Sequence, residues 1–538
     1  MTADLGFSRS ARQRFLLIGA KPATNGGLHL GHVGGPYLRM DILRRHLLRQ
    51  GHDARVVFGT DPHDSYVTLM AKASGQHPLE VAAQFHAQIV DDLRSIHIHT
   101  DAIINPTAQP WSDRHLAAYR GLLDDLLAAG EVEAVSETLW HTPEIDQYGL
   151  GGWVSGDCPH CKRDVGGYFC EHCGAYMEPS EILGSTPRAG MTWNPRQVTS
   201  MFHTINKVGR LERQLATTRT PREFIAVVER QLRDSPRRFR LASPRSAGDW
   251  GLRWSSPDGA PFVMSVSGLL FAYCLLCGEA YQEVTGDPIN PFHAGSPVRT
   301  VNFFGLDNTT SHMIFIQELA LSDPRFKPFD HFVVNYFRTL EREKFSTSRR
   351  HAIWASDIVN KTPLPGDLVR MYLAARDATH ERSDFGLDDC VSFVNDRWSG
   401  ALLPAIEQRL RTALDRAPGD APAPLLAALR AGLDRQQAAL EFAAFDPREL
   451  VGSIFDWTAQ LAQDAEHSHW QLKGLALLAY PILPALSCRL WSWLGGDGEP
   501  AIERFAQAAR PTGPLALDRL APISRSTLTP CLPATLAR

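Results

Sequence analysis

The stretch "FLLIGAKPATNGGLHLGHVGG", residues 15–35, decides the fold. Its first four residues, Phe15 to Ile18, are apolar and read as a buried strand; a glycine-rich loop follows, and from about His29 onward apolar residues recur at helical spacing through "YLRMDILRRHLLRQG". A second short strand, "ARVVFGTD", comes next and ends on Asp61. Strand, helix, strand at this spacing is the repeating unit of a parallel α/β sheet. Such sheets bind ligands beyond the carboxyl ends of their strands, where both His29 and Asp61 fall.

Composition sets the outer bounds. The 538 residues are 44% hydrophobic and 21% charged, the make-up of an ordinary globular protein of several domains. A net charge of −4, from 55 basic and 59 acidic residues, excludes a protein that holds nucleic acid by bulk electrostatics and leaves room for a local grip on RNA. The first residues lack an apolar core followed by a cleavage site, so the sequence predicts a cytoplasmic protein. The most apolar stretch, residues 474–494, is broken by Pro481, Pro484 and Arg489 and reads as a buried helical hairpin; no membrane partner is expected.

Outward from the opening strand the chain divides into segments. Residues 12–115 read as a first α/β segment and 116–245 as helices around a cysteine-rich insert. Residues 246–362 read as a second α/β segment, with "FVMSV", "VNFFGLDN" and "HFVVNYF" as strands. No clear strand is expected after about Pro363; 363–384 is a connecting segment, 385–507 an α-helical bundle, and the tail from 508, rich in Pro, Thr, Ala and Leu, is assigned no structure. The arginine-rich run 232–253 reads as a solvated face, with an RNA contact as the alternative.

The cysteine cluster is "CPHCKRDVGGYFCEHC". Cys158, Cys161, Cys170 and Cys173 make two CxxC knuckles joined by a short loop, the spacing of a tetrahedral thiolate cage for structural Zn2+. Four thiolates fill the metal's coordination shell and leave no open position for catalysis. Cys274 and Cys277 form a further CxxC without a second pair and read as core residues.

His29 and His32 share one face of a helix's first turn, where unpaired N–H groups already favour anions, so the pair suits a polyphosphate. On spacing alone, a metal pair or two surface histidines would look the same. Far down the chain, "EREKFSTSRR" is a polar loop carrying Lys344 among hydroxyls and arginines, either a solvated basic turn or the mobile cation that nucleotidyl transfer needs as charge develops on leaving pyrophosphate.

Taken together, "HLGH" and "KFSTS", with a zinc knuckle between them, resemble the two signature motifs of class I aminoacyl-tRNA synthetases, and specifically the methionyl-tRNA synthetase family. "KPATNGGLHLGH" is similar to that family's opening, "VVFGTDPHDSYVTLMAKASG" to its second strand, and "SDFGLDDCVSFVN" to the entry of its anticodon-binding bundle. The resemblance covers most of the chain. It implies a Rossmann-like catalytic domain split by the knuckle insert, a stem-contact segment at 363–384 and an anticodon-binding-like bundle at 385–507. It also implies amino-acid activation by ATP with Mg2+, catalysed by His29, His32 and Lys344. Gly31, Asp307, Ser346, Thr347, Ser348 and Arg349 would bind ATP; Lys21, Ala23, Asp61, Met264, Ser267 and His312 would bind the amino acid, with Asp61 on its ammonium.

Three departures from the family's pattern shape the functional expectation. Thr347 stands where the loop usually carries a second lysine, with Arg349 and Arg350 near enough to replace it. Lys21 and Ala23 stand where methionine enzymes present an apolar residue and a tyrosine, and "MSVSG" replaces an aromatic-Asp-Ala-Pro run; a lysine beside a thioether pocket is costly unless it meets an anion or faces solvent. Pro404 and Gln408 replace two anticodon-reading residues, while Trp470 matches a third, so CAU recognition is expected to be weak. These departures predict a paralogue that passes its activated acyl group to a small nucleophile, a carrier or a tRNA used outside translation. A genuine methionine–tRNA ligase and a catalytically silent nucleotide-, amino-acid- or RNA-binding module are the alternatives.

Overall fold

The computed structural model describes residues 11–188, 190–246, 248, 250–347, 350–416, 418–461 and 466–536. Five parallel strands form the central sheet: β1 (Arg14–Gly19), β2 (Asp53–Gly59), β3 (Ala102–Ile104), β4 (Arg299–Gly305) and β5 (His331–Asn335), in the order β5-β4-β1-β2-β3. Position explains composition. Phe15 and Leu17 of the central β1 pack into one core while Leu16 and Ile18 pack into another, so all four of these positions must be apolar.

The crossover from β1 to β2 is broken where one continuous helix is expected. A short turn at Leu30–His32 leads into a wide turn at Val33–Tyr37 and then the regular helix Leu38–Arg49. Pro36 lacks an N–H, and Gly35 leaves the helical region at φ −87° and ψ −116°. A Cβ on Gly35 would lie 3.0 Å from the Asn335 amide on β5, so the missing side chain lets the turn settle on the sheet.

The insert departs from the expected helices. Val132–Thr142 and Asn194–Thr204 pair antiparallel at the heart of a six-stranded sheet, with the helices Val208–Thr217 and Arg222–Asp234 beside it. The sheet was illegible because Val132–Thr142 is half exposed along most of its length and shows no apolar alternation; long-range pairing fixes it. "FVMSV" belongs to this sheet and not to the parallel one: Pro261–Met264 lies antiparallel to Arg238–Pro244, and the chain is helical from Val266. Nor is 232–253 all solvated. Arg240 is fully buried, held by the carboxylates of Glu137 and Glu178, because the strand that carries it turns that side chain inward.

Beyond Pro363 one short strand does appear, Ser383–Phe385, added parallel to Arg338–Leu340; three residues carry too little pattern to be read. Helices from Leu387–Ser392 to Pro484–Trp493 then build the bundle, and Ser468–Ala479 with Pro484–Trp493 makes the expected buried hairpin. No helix among the described residues is long and apolar enough to cross a membrane. The tail is ordered against expectation: the Asn395 side chain exchanges hydrogen bonds with the Ile523 backbone, Arg525–Leu528 is helical, and Leu528 and Cys531 are buried. Its leucines follow no period because they dock singly onto the bundle.

One side chain ties three regions together. Arg370, fully buried on the helix Gly366–Ala375, donates to Asp41 at 2.7 Å, to the Pro481 and Ile482 carbonyls at 2.9 Å each, and to the Ile96 carbonyl at 3.2 Å. Arg45 and Arg370, acting against burial, hold the Asp41 carboxyl well below the usual carboxylate range.

Candidate active site

The site lies at the carboxyl end of β1, between β4 and β2, where the loop "KPATNGGLH" leaves the sheet. His29 caps the turn that follows: its Nδ1 accepts the His32 backbone N–H at 3.2 Å, which puts the ring proton on Nε2. The His29 and His32 rings stack at 3.6 Å with planes 10° apart, and Phe345 of the "KFSTS" loop stacks on the other side of His29 at 4.9 Å. The two motifs, remote in sequence, therefore form one wall. Gly31 must lack a side chain here, since a Cβ would sit 3.0 Å from His29 and 3.1 Å from Phe345; at Gly26 it would come within 2.4 Å of Thr347.

Both imidazoles are neutral near pH 7. Burial lowers His32 to about 4, and burial together with His32 and Lys344 pushes His29 well below its ordinary value. His32 keeps a buried Nδ1 with no partner. The pair thus offers N–H donors rather than cations, and positive charge must come from the loop.

Lys344 supplies that charge, and it is engaged: its ammonium pairs with Glu171, which sits inside the second cysteine knuckle. Ser346 and His351 close the loop by mutual backbone hydrogen bonds. Ser348 and Arg349 lie outside the described residues. Asp307 stands in the turn after β4 with a buried, unpartnered Oδ1; burial first and Glu171 second raise it to about 7. The knuckle backs directly onto this turn, where the Thr310 hydroxyl donates to the Gly174 carbonyl at 2.7 Å.

Next to the nucleotide side lies a second cluster. Ala23 pairs with Asp61 as a backbone bridge, which brings Lys21 over the end of β2. Lys21 Nζ sits 2.9 Å from Asp61 Oδ2, both side chains 5% exposed, and 5.5 Å from the Tyr273 ring. His312 Nδ1 bonds the Asn302 carbonyl oxygen, while the Asn302 amide donates to Ile18; the ring therefore carries its proton on Nδ1 and turns a bare Nε2 elsewhere. Burial, helped by Lys21, lowers His312 to about 3. Met264 and Ser267 are buried where the insert's strand gives way to the helix Val266–Thr285, whose Tyr273, Cys274 and Cys277 face the core.

Sequence reasoning missed His63, His115 and Trp250. Burial lowers His63 to about 4 and drives His115 well down. Their rings stand 5.8 Å apart with Trp250 6.3 Å from His63, and Lys21 is close enough to act on both. His63, two residues beyond Asp61, carried a local signal; His115 and Trp250 carried none.

Cys158, Cys161, Cys170 and Cys173 gather as expected. Their sulfurs lie within 4.8 Å of one another, with 3.8 Å from Cys158 to Cys173 and 3.6 Å from Cys161 to Cys170. Four thiolates around zinc at about 2.3 Å stand about 3.8 Å apart, so the cage fits the ion. Cys274 and Cys277 are buried core residues, as expected.

Comparison with known proteins bears on this geometry. The family model "tRNA synthetases class I (M)" matches residues 15–407. The methionine–tRNA ligase of Methanococcus aeolicus is 25% identical over 71% of this chain and 56% of its own length, and that of Chlorobaculum tepidum 24% identical over 94% and 76%. The chain thus spans little more than half the length of the archaeal relatives. The crystal structure of Mycobacterium tuberculosis methionyl-tRNA synthetase bound by methionyl-adenylate superposes with a TM-score of 0.69 at 17% identity, covering 94% of this chain and 99% of that one. The expected architecture holds: a Rossmann-like parallel sheet split by a knuckle-bearing insert, followed by a helical bundle.

Proposed function

The chain belongs to the methionyl-tRNA synthetase family of class I tRNA synthetases, and from that membership we propose that it joins an amino acid to tRNA by way of an aminoacyl-adenylate. The observation that carries the reading is the stacked His29–His32 pair under Phe345, a neutral donor wall facing the loop cation. An oxygen of the amino-acid carboxylate attacks the α-phosphorus of ATP, the bond from that phosphorus to the bridging oxygen breaks, and pyrophosphate leaves with the electron pair. A tRNA hydroxyl then attacks the acyl carbon, releasing AMP and its own proton. His29 Nε2–H and His32 donate to the phosphates, Lys344 leaves Glu171 to meet the charge that develops, and Mg2+ accompanies ATP as its counter-ion. Gly31, Ser346 and Thr347 shape the nucleotide wall, Asp307 faces the nucleotide, and Asp61 takes the substrate ammonium. Zinc keeps the knuckle folded and the Asp307 turn in place.

Methionine is the amino acid named for the curated relatives, and this ligase reading is better supported than acyl transfer to a small nucleophile or carrier, for which neither geometry nor relatives speak. Residues 363–384 would meet the acceptor stem and 385–507 the anticodon arm, and tRNA charging puts the protein in the cytoplasm. A second reading, the same reaction with another amino acid or tRNA, is favoured by two observations. Lys21 already occupies Asp61, and Trp470 is 6% exposed with its indole N–H donated to the Gly419 carbonyl, turned away from any base.

The test is amino-acid-dependent ATP–pyrophosphate exchange followed by tRNA charging. Exchange and charging with methionine support the ligase reading. ATP binding without exchange for any amino acid would replace it with a silent binding module, and tight anticodon-dependent binding of a CAU tRNA would remove the second reading's tRNA arm.

A further inference from the structure

Resting on the amino-acid activation proposed above, we propose that the side-chain pocket selects an amino acid bearing a second carboxylate, received by Lys21 with His115 and His63. The argument is one of charge. Lys21 and Asp61 form a 2.9 Å pair almost sealed from water. An incoming amino acid brings an ammonium, and Asp61 is the carboxylate of this cluster able to take it. The neighbouring Asp64 is committed to capping the helix Ser65–Ser74, accepting the Tyr66 N–H at 2.8 Å.

Once the substrate ammonium holds Asp61, Lys21 needs another anion. Methionine offers a thioether, leaving a buried cation without a partner, the costly outcome when one half of a buried pair is taken away. A dicarboxylic amino acid restores the balance: its ammonium pairs with Asp61 and its side-chain carboxylate with Lys21, so that no charge in the pocket is left alone.

Two buried imidazoles complete the receptor. Neither ring nitrogen of His63 has a partner; those of His115, which is 1% exposed, have none either, the Leu269 carbonyl lying nearby outside hydrogen-bond geometry. Donors buried without partners need an acceptor, and a carboxylate accepts several hydrogen bonds at once. His312 is otherwise engaged, with its proton on Asn302. A thioether would leave both His63 and His115 unpaired.

The experiment is ATP–pyrophosphate exchange by the full, zinc-loaded chain with aspartate, glutamate, 2-aminoadipate, methionine and norleucine, for wild type and Lys21→Met. The expected result is a kcat/KM for the best dicarboxylic amino acid at least tenfold above that for methionine, with Lys21→Met reversing the order. Methionine leading in wild type, and a preference that Lys21→Met leaves within twofold, would overturn the inference while leaving amino-acid activation standing. If Lys21→Met does not fold, calorimetric titration of wild type with glutamate and with methionine decides by the same order. Exchange with no amino acid at all removes the activation reading and this inference with it.

Discussion

Replacing Glu171 by glutamine should tighten the apparent binding of ATP. In the unliganded protein Glu171 holds Lys344, the cation that the proposed mechanism sends to the triphosphate, so ATP must first break that pair. The penalty follows from exposure: the Lys344 side chain is 49% exposed and that of Glu171 39%, and ion pairs so open to solvent contribute about 0–1 kcal/mol. With a factor of ten for each 1.4 kcal/mol, the KM for ATP should fall by no more than about fivefold, while kcat stays unchanged because the pair is already broken in the ternary complex. The assay is pyrophosphate exchange against ATP concentration at saturating amino acid, with zinc content and melting temperature as controls for the adjacent Cys170. A second readout separates electrostatics from folding: losing the Glu171 charge removes one cause of the raised Asp307 pKa, so any inflection near pH 7 in the KM for ATP should move to lower pH. An ATP KM that rises more than tenfold with zinc retained would refute the reasoning and make Glu171 a nucleotide-binding residue.

Further outcomes follow from burial and charge. Cys170→Ser, or chelation, should abolish zinc binding and weaken ATP binding as well, because the knuckle supports the Asp307 turn through Gly174 and Thr310; unchanged ATP binding by the metal-free protein would contradict this. Arg240→Met leaves Glu137 and Glu178 without their buried cation and should cost about 3–5 kcal/mol in denaturant unfolding; a loss below 1 kcal/mol would mean the pair is solvated in solution. Acid should destabilise the fold through its buried histidines. His32 and His63 are lowered to about 4 and His312 to about 3, so between pH 6.5 and 4 the unfolded chain binds more protons than the folded one. Their contribution is fully present above 6.5 and is lost on the way down, about 3 kcal/mol for each of the first two. A melting temperature flat from pH 7 to 4.5 would refute it.

Local signals were legible and long-range ones were not. The β1 loop, the His29–His32 face and the four-cysteine cage depend on neighbours within a few residues, and each stands where spacing put it. The insert's sheet was hidden because Val132–Thr142 is stabilised by pairing with a strand some sixty residues on and by no periodicity of its own. The tail was hidden for the same reason, its order coming from separate contacts with the bundle. At the site, Lys21 stood out as a misplaced charge, but its partner is Asp61, reached only because the bridge at Ala23 folds the loop back across β2. The Glu171–Lys344 contact joins two motifs that share no local pattern, and His115 arrives on a helix whose other features are those of ordinary packing.

Arg370 makes the protein a gauge with fixed jaws. One unhydrated guanidinium bolts the helix that follows the histidine turn to the hinge of the bundle's hairpin, so the span between the chemical end and the far end of the molecule cannot open or close without drawing a buried cation into water. Under the proposed charging reaction, a frame so fixed would select its acceptor by reach, taking an RNA whose arm and terminal hydroxyl are the right distance apart, and a change in the hairpin at Pro481 or Ile482 would be felt as a mismeasured acceptor before a slower adenylation.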